Sequence, residues 1–276
     1  MTNYDLHCHS TRSDGLLSPG EVVRRAAGRG VEVIALTDHD EIAGLDEARE
    51  AARETGLTFI TGSELSVTWH DTTIHVVALG IDPRNAALIE GLEAVRQGRD
   101  ARARRIGASL AQAGIEDAFE GALTYVTSER LISRTHFARH LIHKGHARDM
   151  KDAFKRFLTA GKPGHVPHAW ATLSQAIGWI HGAGGQAVIA HPGRYKLTHA
   201  ELRKVVREFR DLGGEGLEVV SPSHTSAQYN EFATLARVCG LKASCGSDFH
   251  GPGESRFDFG ELPPLPTCVE PIWAGW

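Results

Sequence analysis

The chain has 276 residues, of which 41% are apolar and 23% are charged. This composition excludes a disordered protein, because disordered chains combine few apolar residues with a high net charge. The formal net charge of −4 offers no global basic field for long nucleic acid. There is no run of about 18 apolar residues and no signal-peptide pattern, and the four cysteines form no C-x-x-C pair. We therefore expect a soluble cytoplasmic protein that does not associate with a membrane and has no obligate protein partner.

Strand and helix signals alternate through the N-terminal part of the chain. Short apolar runs predict strands at 4–9, 31–36 and 57–60. Ser18, followed by Pro19 and Glu21, has the capping pattern of a helix start, and a second helix is predicted at about 42–55. Strands that alternate with helices are typical of βαβ units and a parallel sheet.

A hairpin is predicted next, with arms at 65–69 and 73–79. If its tip lies at Asp71 and Thr72, a flat hairpin separates Glu64 from His75 by roughly 13 Å along the strand. Both residues are candidate ligands of one site. We therefore expect the backbone to bend shortly after Glu64.

The segment from about 88 to 161 contains only helix signals, and strand signals resume at 186–190, 216–220 and 242–245. This order predicts an α/β fold of the barrel type that is interrupted by a small helical insertion. We place the barrel at 1–98 and 166–276 and the insertion at 99–165, where it would cap the substrate.

Side chains that bind metals follow nearly every predicted strand. A single histidine at a strand end is usually a surface or hydrogen-bonding residue, but nine candidate ligands in five segments are harder to explain without a metal. In a parallel barrel these strand ends meet on one face, where such folds place their active sites. Imidazole and carboxylate donors without paired thiolates suit Mn²⁺, Fe²⁺ or Zn²⁺, and their number suffices for two or three ions. The candidate ligands are His7, His9, Asp14, His39, Glu64, His75, His191, Asp248 and His250.

These residues lie in motifs that resemble those of the PHP (polymerase and histidinol phosphatase) superfamily, in the family's order. The motifs are Asp5-Leu6-His7-Cys8-His9-Ser10 with Ser13-Asp14-Gly15, Leu36-Thr37-Asp38-His39-Asp40, Glu64, His75, Ala190-His191-Pro192 and Gly246-Ser247-Asp248-Phe249-His250. The resemblance implies a distorted seven-stranded β/α barrel, a centre of two or three divalent ions with Mn²⁺ as the first candidate, and phosphoester hydrolysis. It also implies catalytic roles for Asp14, His191 and His250.

The chain is similar to the stand-alone bacterial members that act on nucleoside 3′,5′-bisphosphates such as pAp, so we expect conversion of pAp to AMP and phosphate by a metal-activated hydroxide. Two alternatives stay open within enzymes: a 5′→3′ exonuclease on very short 5′-phosphorylated RNA, and a histidinol phosphate phosphatase. A non-catalytic PHP module is disfavoured because no ligand is missing. A metal-dependent amidohydrolase is allowed by the barrel alone.

Arginines of the insertion offer independent support for a doubly phosphorylated substrate. Arg102 lies on the apolar stripe of a predicted helix and Arg105 lies at its edge. Arginine on a buried stripe needs an anion, although a solvated basic helix would explain the same pattern. Arg134 follows Ser133 at a predicted helix start, and Arg194 comes three residues after His191. We expect these four arginines to bind the substrate.

Overall fold

The computed structural model describes residues 2–127 and 131–276, which contain seven strands and nine α-helices. The strands are β1 (Tyr4–Asp5), β2 (Val33–Leu36), β3 (Thr58–Trp69), β4 (Thr72–Leu79), β5 (Gln186–Ile189), β6 (Gly216–Val220) and β7 (Lys242–Cys245). The helices are α1 (Pro19–Gly28), α2 (Leu45–Thr55), α3 (Ala86–Gln112), α4 (Ala118–Leu123), α5 (Arg134–His143), α6 (Met150–Ala153), α7 (Leu173–Gly182), α8 (His199–Asp211) and α9 (Ser226–Cys239). A π-helical turn (Phe154–Leu158) follows α6, and a 3₁₀ turn (Pro192–Arg194) follows β5.

The seven strands pair in chain order and form a nearly closed barrel. All neighbours are parallel except β4, which is antiparallel to both β3 and β5. The barrel is drawn together where the Leu6 N–H donates to the Cys245 carbonyl at 3.1 Å and the Asp248 N–H donates to the His7 carbonyl at 2.8 Å. The predicted distorted α/β barrel is confirmed, and β4 is reversed because it is the second arm of a hairpin.

The helices begin where the sequence provides side-chain caps. At α1, Ser18 accepts from the Glu21 N–H and Glu21 binds back to Ser18, as predicted from the capping pattern. Thr198 and Glu201 make the same reciprocal cap at α8. The predicted helix at 42–55 instead begins at Leu45, and Gly44 at its N-cap makes no side-chain capping hydrogen bond.

The bend expected after Glu64 is not required, because the hairpin has a different register from the one assumed. Trp69 pairs with Thr72, so the turn consists of His70 and Asp71, with φ +49° at His70. Ser66 therefore lies opposite His75, and the β3–β4 ladder runs without a shift from Gly62 to Trp69. Glu64 and His75 are then diagonal neighbours on one face, within reach of each other's side chains.

Apolar side chains form a core inside the barrel and further layers beneath its helices. Leu6, Val77 and Val188 belong to the buried interior cluster. A separate buried cluster, which includes Ile106 and Phe137, holds α3 to α6 together. The proposed border at 98/99 lies inside the continuous helix α3, and residues 128–130 of the proposed insertion lie outside the described residues. No helix in the described part of the chain is long and apolar enough to cross a membrane.

Candidate metal centre

The nine predicted ligands lie together at one end of the barrel. They form four overlapping groups of three or four donors, and the donor atoms of each group lie within 4.8 Å of one another. His7, His9 and Asp14 follow β1, whereas Asp248 and His250 follow β7. These segments meet because Cys8 pairs with Phe249 across the closing seam of the barrel. The groups share members and therefore describe one compact centre.

Glu64 of β3 lies at the middle of this centre and is fully buried. Its two carboxylate oxygens lie within 3.4 Å of ring nitrogens of His7, His9, His39, His75 and His191. A carboxylate that faces donors on several sides can bridge neighbouring cations. Glu64 accordingly belongs to two of the four donor groups.

The other two carboxylates face His250 and histidines that also face Glu64. Asp14 Oδ1 lies 3.3 Å from His250 Nε2 and 3.8 Å from His39 Nε2. Asp248 Oδ1 lies 3.3 Å from His9 Nε2 and 3.6 Å from His250 Nδ1. The structure therefore brings Asp14 and His250, two of the three predicted catalytic residues, into direct apposition, and the third, His191, faces Glu64.

Several of these buried atoms have no hydrogen-bond partner among the described residues. They include Asp14 Oδ1, Glu64 Oε2, Asp248 Oδ1 and the Nδ1 atoms of His39 and His191. His39 Nδ1 and Glu64 Oε2 lie 2.8 Å apart without hydrogen-bond geometry. Burying such atoms unpaired is costly, on the order of 1–3 kcal/mol each and more for charged groups. A centre of imidazole and carboxylate donors with unsatisfied lone pairs fits divalent cations.

The charges of the centre depend on one another strongly. Burial alone would raise the pKa of Asp14, but attraction to His39 and His250 holds it well below its ordinary value. Burial alone would lower the pKa of His250, but attraction to Asp14 and Asp248 raises it to about 9. Burial together with repulsion from His250 and His39 lowers the pKa of His9 to about 3. The pKa of each group in the centre is therefore determined largely by the charges of its neighbours.

The backbone is strained at two of the candidate ligands. His191 has φ +27° and Asp248 has φ +47°, a region that L-residues other than glycine rarely adopt. Gly246 lies so close to β1 that a Cβ atom there would meet the His7 Cβ at 2.2 Å. Non-glycine strain of this kind clusters at functional sites, where the surrounding structure holds it in place.

Four arginines were expected near the substrate, and they differ in environment. Arg102 is buried and its Nε donates to the Val166 carbonyl at 3.1 Å, whereas Arg105 is exposed. Arg134 donates to the Leu158 carbonyl at 3.4 Å. Arg194 pairs with Asp248. Among the described residues, no carboxylate lies within 4 Å of the guanidinium groups of Arg102 and Arg134.

These arginines repel one another across a common space. Burial lowers the pKa of Arg102 to about 9, with further contributions from Arg134, Arg99 and Arg105. Burial also lowers the pKa of Arg134, followed by repulsion from Arg194 and Arg99. Clustered cations without carboxylate partners are typical of an anion site.

A family model described as "PHP domain" matches residues 5–219. The chain belongs to the PHP family. This PHP chain is 50% identical over 273 residues to a 3′,5′-nucleoside bisphosphate phosphatase of Chromobacterium violaceum, covering 99% of this chain and 96% of the relative. It is 44% identical to a 5′-3′ exoribonuclease of Haemophilus influenzae, covering 98% and 97% of the two chains.

Solved structures show the same PHP architecture. One from Chromobacterium violaceum, described as an amidohydrolase with bound sulfate and no metal, has a TM-score of 0.96, 50% identity and coverage of 99% of this chain and 95% of its own. Another, from Bifidobacterium adolescentis and provisionally described as a metal-dependent phosphoesterase, has a TM-score of 0.82, 30% identity and coverage of 98% and 93%. The PHP chain is accordingly a phosphoesterase of the metal-dependent type.

Sequence reasoning missed Glu218, which supports two ligands of the PHP centre. Its Oε1 lies 3.0 Å from His7 Nδ1, and its Oε2 accepts the His191 N–H at 2.6 Å. The first contact directs His7 Nε2 towards the centre, because the Nδ1 proton is held by the carboxylate. The available signal was a glutamate inside the apolar strand Gly216-Leu217-Glu218-Val219-Val220.

Two further arginines, which the sequence pattern did not single out as substrate ligands, contact the PHP site from α3 and α5. Arg99 of α3 is buried, pairs with Asp40 and donates to Ser66 Oγ at 3.1 Å. Arg139 of α5 donates to the Asp14 carbonyl at 2.7 Å and pairs with Glu254. Arg99 was already visible on the apolar stripe of α3, whereas Arg139 carries no distinguishing pattern.

Proposed function

We propose that this protein hydrolyses the 3′-phosphate of nucleoside 3′,5′-bisphosphates, converting pAp to AMP and phosphate. The observation that carries the proposal is the pair of Arg102, which is buried, and Arg134, which is partly buried, beside a centre that fits divalent cations. A buried cation that lacks a carboxylate partner lowers the stability of the protein by several kcal/mol, about as much as breaking a buried ion pair. A second phosphate on the substrate would offset that cost. The relative in Chromobacterium violaceum supports the same substrate class.

The nine predicted ligands would hold two or three divalent ions, with Mn²⁺ first and Zn²⁺ or Fe²⁺ as alternatives. These ions would supply Lewis acidity towards the phosphate and a nucleophilic water at neutral pH. The chain's own residues orient the centre. Ser133 donates to Asp14 Oδ2 at 2.9 Å, and Glu218 fixes the ring of His7. Asp14, His191 and His250 keep their proposed catalytic roles at the reacting phosphate.

The insertion at 99–165 is proposed to cap the substrate. It contributes Arg102, Arg105 and Arg134, and its α5 is joined to the barrel through Ser133 and Arg139, both bonded to Asp14. With Arg194 from the barrel, these arginines would bind the phosphate that is not hydrolysed. Contacts to that distant phosphate would raise specificity for a bisphosphate over a monophosphate.

The first experiment is to incubate metal-reconstituted protein with pAp and to measure free phosphate and AMP. AMP and 3′-AMP serve as control substrates. We expect rapid conversion of pAp to AMP and poor turnover of both monophosphates. Protein that contains metal but releases no phosphate from pAp would contradict the proposal.

The arginine cluster gives a sharper prediction. Arg102→Ala removes charge-assisted hydrogen bonds worth about 2 kcal/mol, so kcat/KM for pAp should fall about 30-fold. The same variant should change the rate with 3′-AMP by less than about threefold, because 3′-AMP lacks the second phosphate. Arg104→Ala is the matched control, since Arg104 is exposed and pairs with Asp100. Equal losses on both substrates would contradict the role of Arg102.

Trimming of very short 5′-phosphorylated RNA is the second candidate, supported by the exoribonuclease of Haemophilus influenzae. Both reactions break the bond between phosphorus and a ribose 3′-oxygen, so one site can perform both.

The cytoplasm is the proposed compartment, because Cys8, Cys239, Cys245 and Cys268 are all free thiols.

A further inference from the structure

A concave basic pocket lies where the segment after α6 meets the loop after β5. Its volume is about 540 Å³, and its cations are Lys155, Arg156, Lys162 and Lys196, with Phe157 in the same wall. None of the described residues that line it is a carboxylate. A volume of this size falls within the range of about 300–1,000 Å³ that is typical of small-molecule sites.

The charges in this pocket have few partners. Arg156 forms an ion pair with Asp152, in which Nη1 lies 3.3 Å from Oδ2. Among the described residues, no carboxylate lies within 4 Å of the Nζ atoms of Lys155, Lys162 and Lys196. Scattered lysines on a flat surface need no explanation, but like charges from two separate segments that line one concavity attract an anion.

Two segments of the pocket lie close in sequence to residues of the proposed arginine site or to their hydrogen-bond partners. Lys196 lies two residues after Arg194, which pairs with the candidate ligand Asp248. On the other side, Arg134 donates to the carbonyl of Leu158, which is flanked in sequence by pocket residues. The pKa of His165 is lowered by partial burial and then by Arg134, Arg102 and Lys196, so cations of both sites surround one side chain.

We propose that this pocket binds the downstream nucleotide of a short 5′-phosphorylated RNA whose first nucleotide occupies the metal centre. The lysines would hold the next phosphodiester, and Phe157 would offer an apolar surface to the base. A groove that combines cations with an aromatic side chain is typical of single-strand binding. The proposal rests on the proposed function, because it uses the same reacting phosphate.

The reaction balances without a further reactant. Water adds OH to the phosphorus of the first internucleotide phosphate, and the bond to the 3′-oxygen of the first nucleotide breaks. That oxygen takes the remaining proton of the water. The products are a nucleoside 5′-monophosphate and an RNA that is one nucleotide shorter and carries a 5′-phosphate. The new end can occupy the site again.

The test compares pAp with 5′-phosphorylated triadenylate, pApApA, in wild type and in the double variant Lys155→Ala/Lys162→Ala. Both lysines are exposed, so the fold should persist. We expect kcat/KM for pApApA to fall by about tenfold or more and kcat/KM for pAp to change by less than about twofold. The salt dependence of log KM for pApApA should weaken by about 0.7 for each RNA phosphate that the variant no longer neutralises.

Lys151→Ala is the matched control, because Lys151 is exposed on α6 and does not line the pocket. Equal effects of the double variant on both substrates, or none on either, would overturn the proposal. Wild-type inactivity on pAp with activity on pApApA would refute the proposed function alone. If the wild type cleaves neither substrate, the binding of 3′-labelled pApApA to the metal-free protein is measured by fluorescence anisotropy. Weaker binding in the double variant then supports the pocket, and unchanged binding overturns it.

Discussion

Glu64 shows how single residues determine the chemistry of this centre. Its carboxylate faces five histidines, and a buried group with that many basic neighbours stays ionised although burial opposes its charge. The residues behind the donors matter as well. His250 Nδ1 lies 2.8 Å from the Asp248 carbonyl, which leaves its Nε2 free to face Asp14. The His250 ring is therefore oriented by a backbone carbonyl that is not itself a candidate donor atom.

Glu218→Gln tests this supporting role. The amide can accept only through one atom, so either His7 or the His191 N–H loses its acceptor. Losses of outer partners at metal sites are about 10- to 100-fold in metal affinity or activity, and we expect a fall in that range. Metal titration of the folded variant measures it, with the exposed residue change Glu231→Gln as control. Wild-type metal affinity in Glu218→Gln would refute the role.

At the scale of elements, the hairpin and α5 bring distant parts of the chain to the centre. The two-residue turn at His70 and Asp71 determines the β3–β4 register and thereby places His75 beside Glu64. At the start of α5, Ser133 accepts from the Thr135 N–H and donates to Asp14. One hydroxyl thus caps a helix and orients a ligand.

Ser133→Ala separates these two duties when it is compared with Thr198→Ala. Both changes remove an N-cap and should cost about 1 kcal/mol of the free energy of unfolding. Only Ser133→Ala should also weaken metal binding and slow phosphate release, because the Thr198 hydroxyl caps α8 and, among the described residues, its hydrogen bonds are with Glu201. Thermal unfolding and the pAp assay measure the two effects. Equal activity in the two variants would show that Ser133 acts on stability alone.

At the scale of the whole molecule, unfavourable interactions are concentrated at one end of the barrel, and favourable packing in the rest of the fold compensates for them. Strained His191 and Asp248, unpaired carboxylate oxygens and clustered arginines all lie on the same face. The buried apolar clusters inside and outside the barrel hold them in place. Bound cations would therefore stabilise the fold as well as act on the substrate.

Metal removal tests this coupling. A ligand at 100 times its dissociation constant adds about 2.7 kcal/mol to the free energy of unfolding, so chelation should lower the Tm of the metal-loaded protein measurably. Acid should act in the same direction, because protons compete with cations for the histidines. Calorimetry with and without chelator at two pH values measures both. A Tm that chelation leaves unchanged would contradict the coupling.

Asp258, in the segment after β7, gives a pH-dependent prediction far from the centre. Arg25 Nε donates to Asp258 Oδ1 at 3.0 Å, and Arg29 lies 2.9 Å from Oδ2. The hydrogen bonds from Arg25 lower the pKa of Asp258. A carboxyl group with a depressed pKa contributes stability above its unfolded pKa of about 3.9 and loses it as the pH falls further.

Asp258→Asn should therefore lower the free energy of unfolding by about 1 kcal/mol at pH 7. The difference from wild type should shrink below about pH 4, where Asp258 itself becomes protonated. Urea unfolding at pH 7 and at pH 3 measures both values. A difference that is the same at both pH values would show that the ion pair carries none of the effect.

The sequence by itself determined the types of the candidate site residues, their order along the chain and the strands near whose ends they lie. The histidines and carboxylates after β1, β2, β5 and β7, and Glu64 after the shorter strand predicted at 57–60, could be placed on one face because parallel strands present their carboxyl ends together. The apolar stripe of α3 likewise placed Arg102 inside and Arg105 at the edge, as the structure has them. Local periodicity and strand direction suffice for such predictions.

Only the tertiary structure decided what depends on register and on contacts between distant segments. The turn at His70 and Asp71 differs by one position from the expected one, and that single step removes the need for a bend after Glu64. Glu218 and Arg139 became visible as supports only when β6 and α5 were packed against His7 and Asp14. Pairing register and long-range contacts arise from the packing of the whole barrel, which no local pattern encodes.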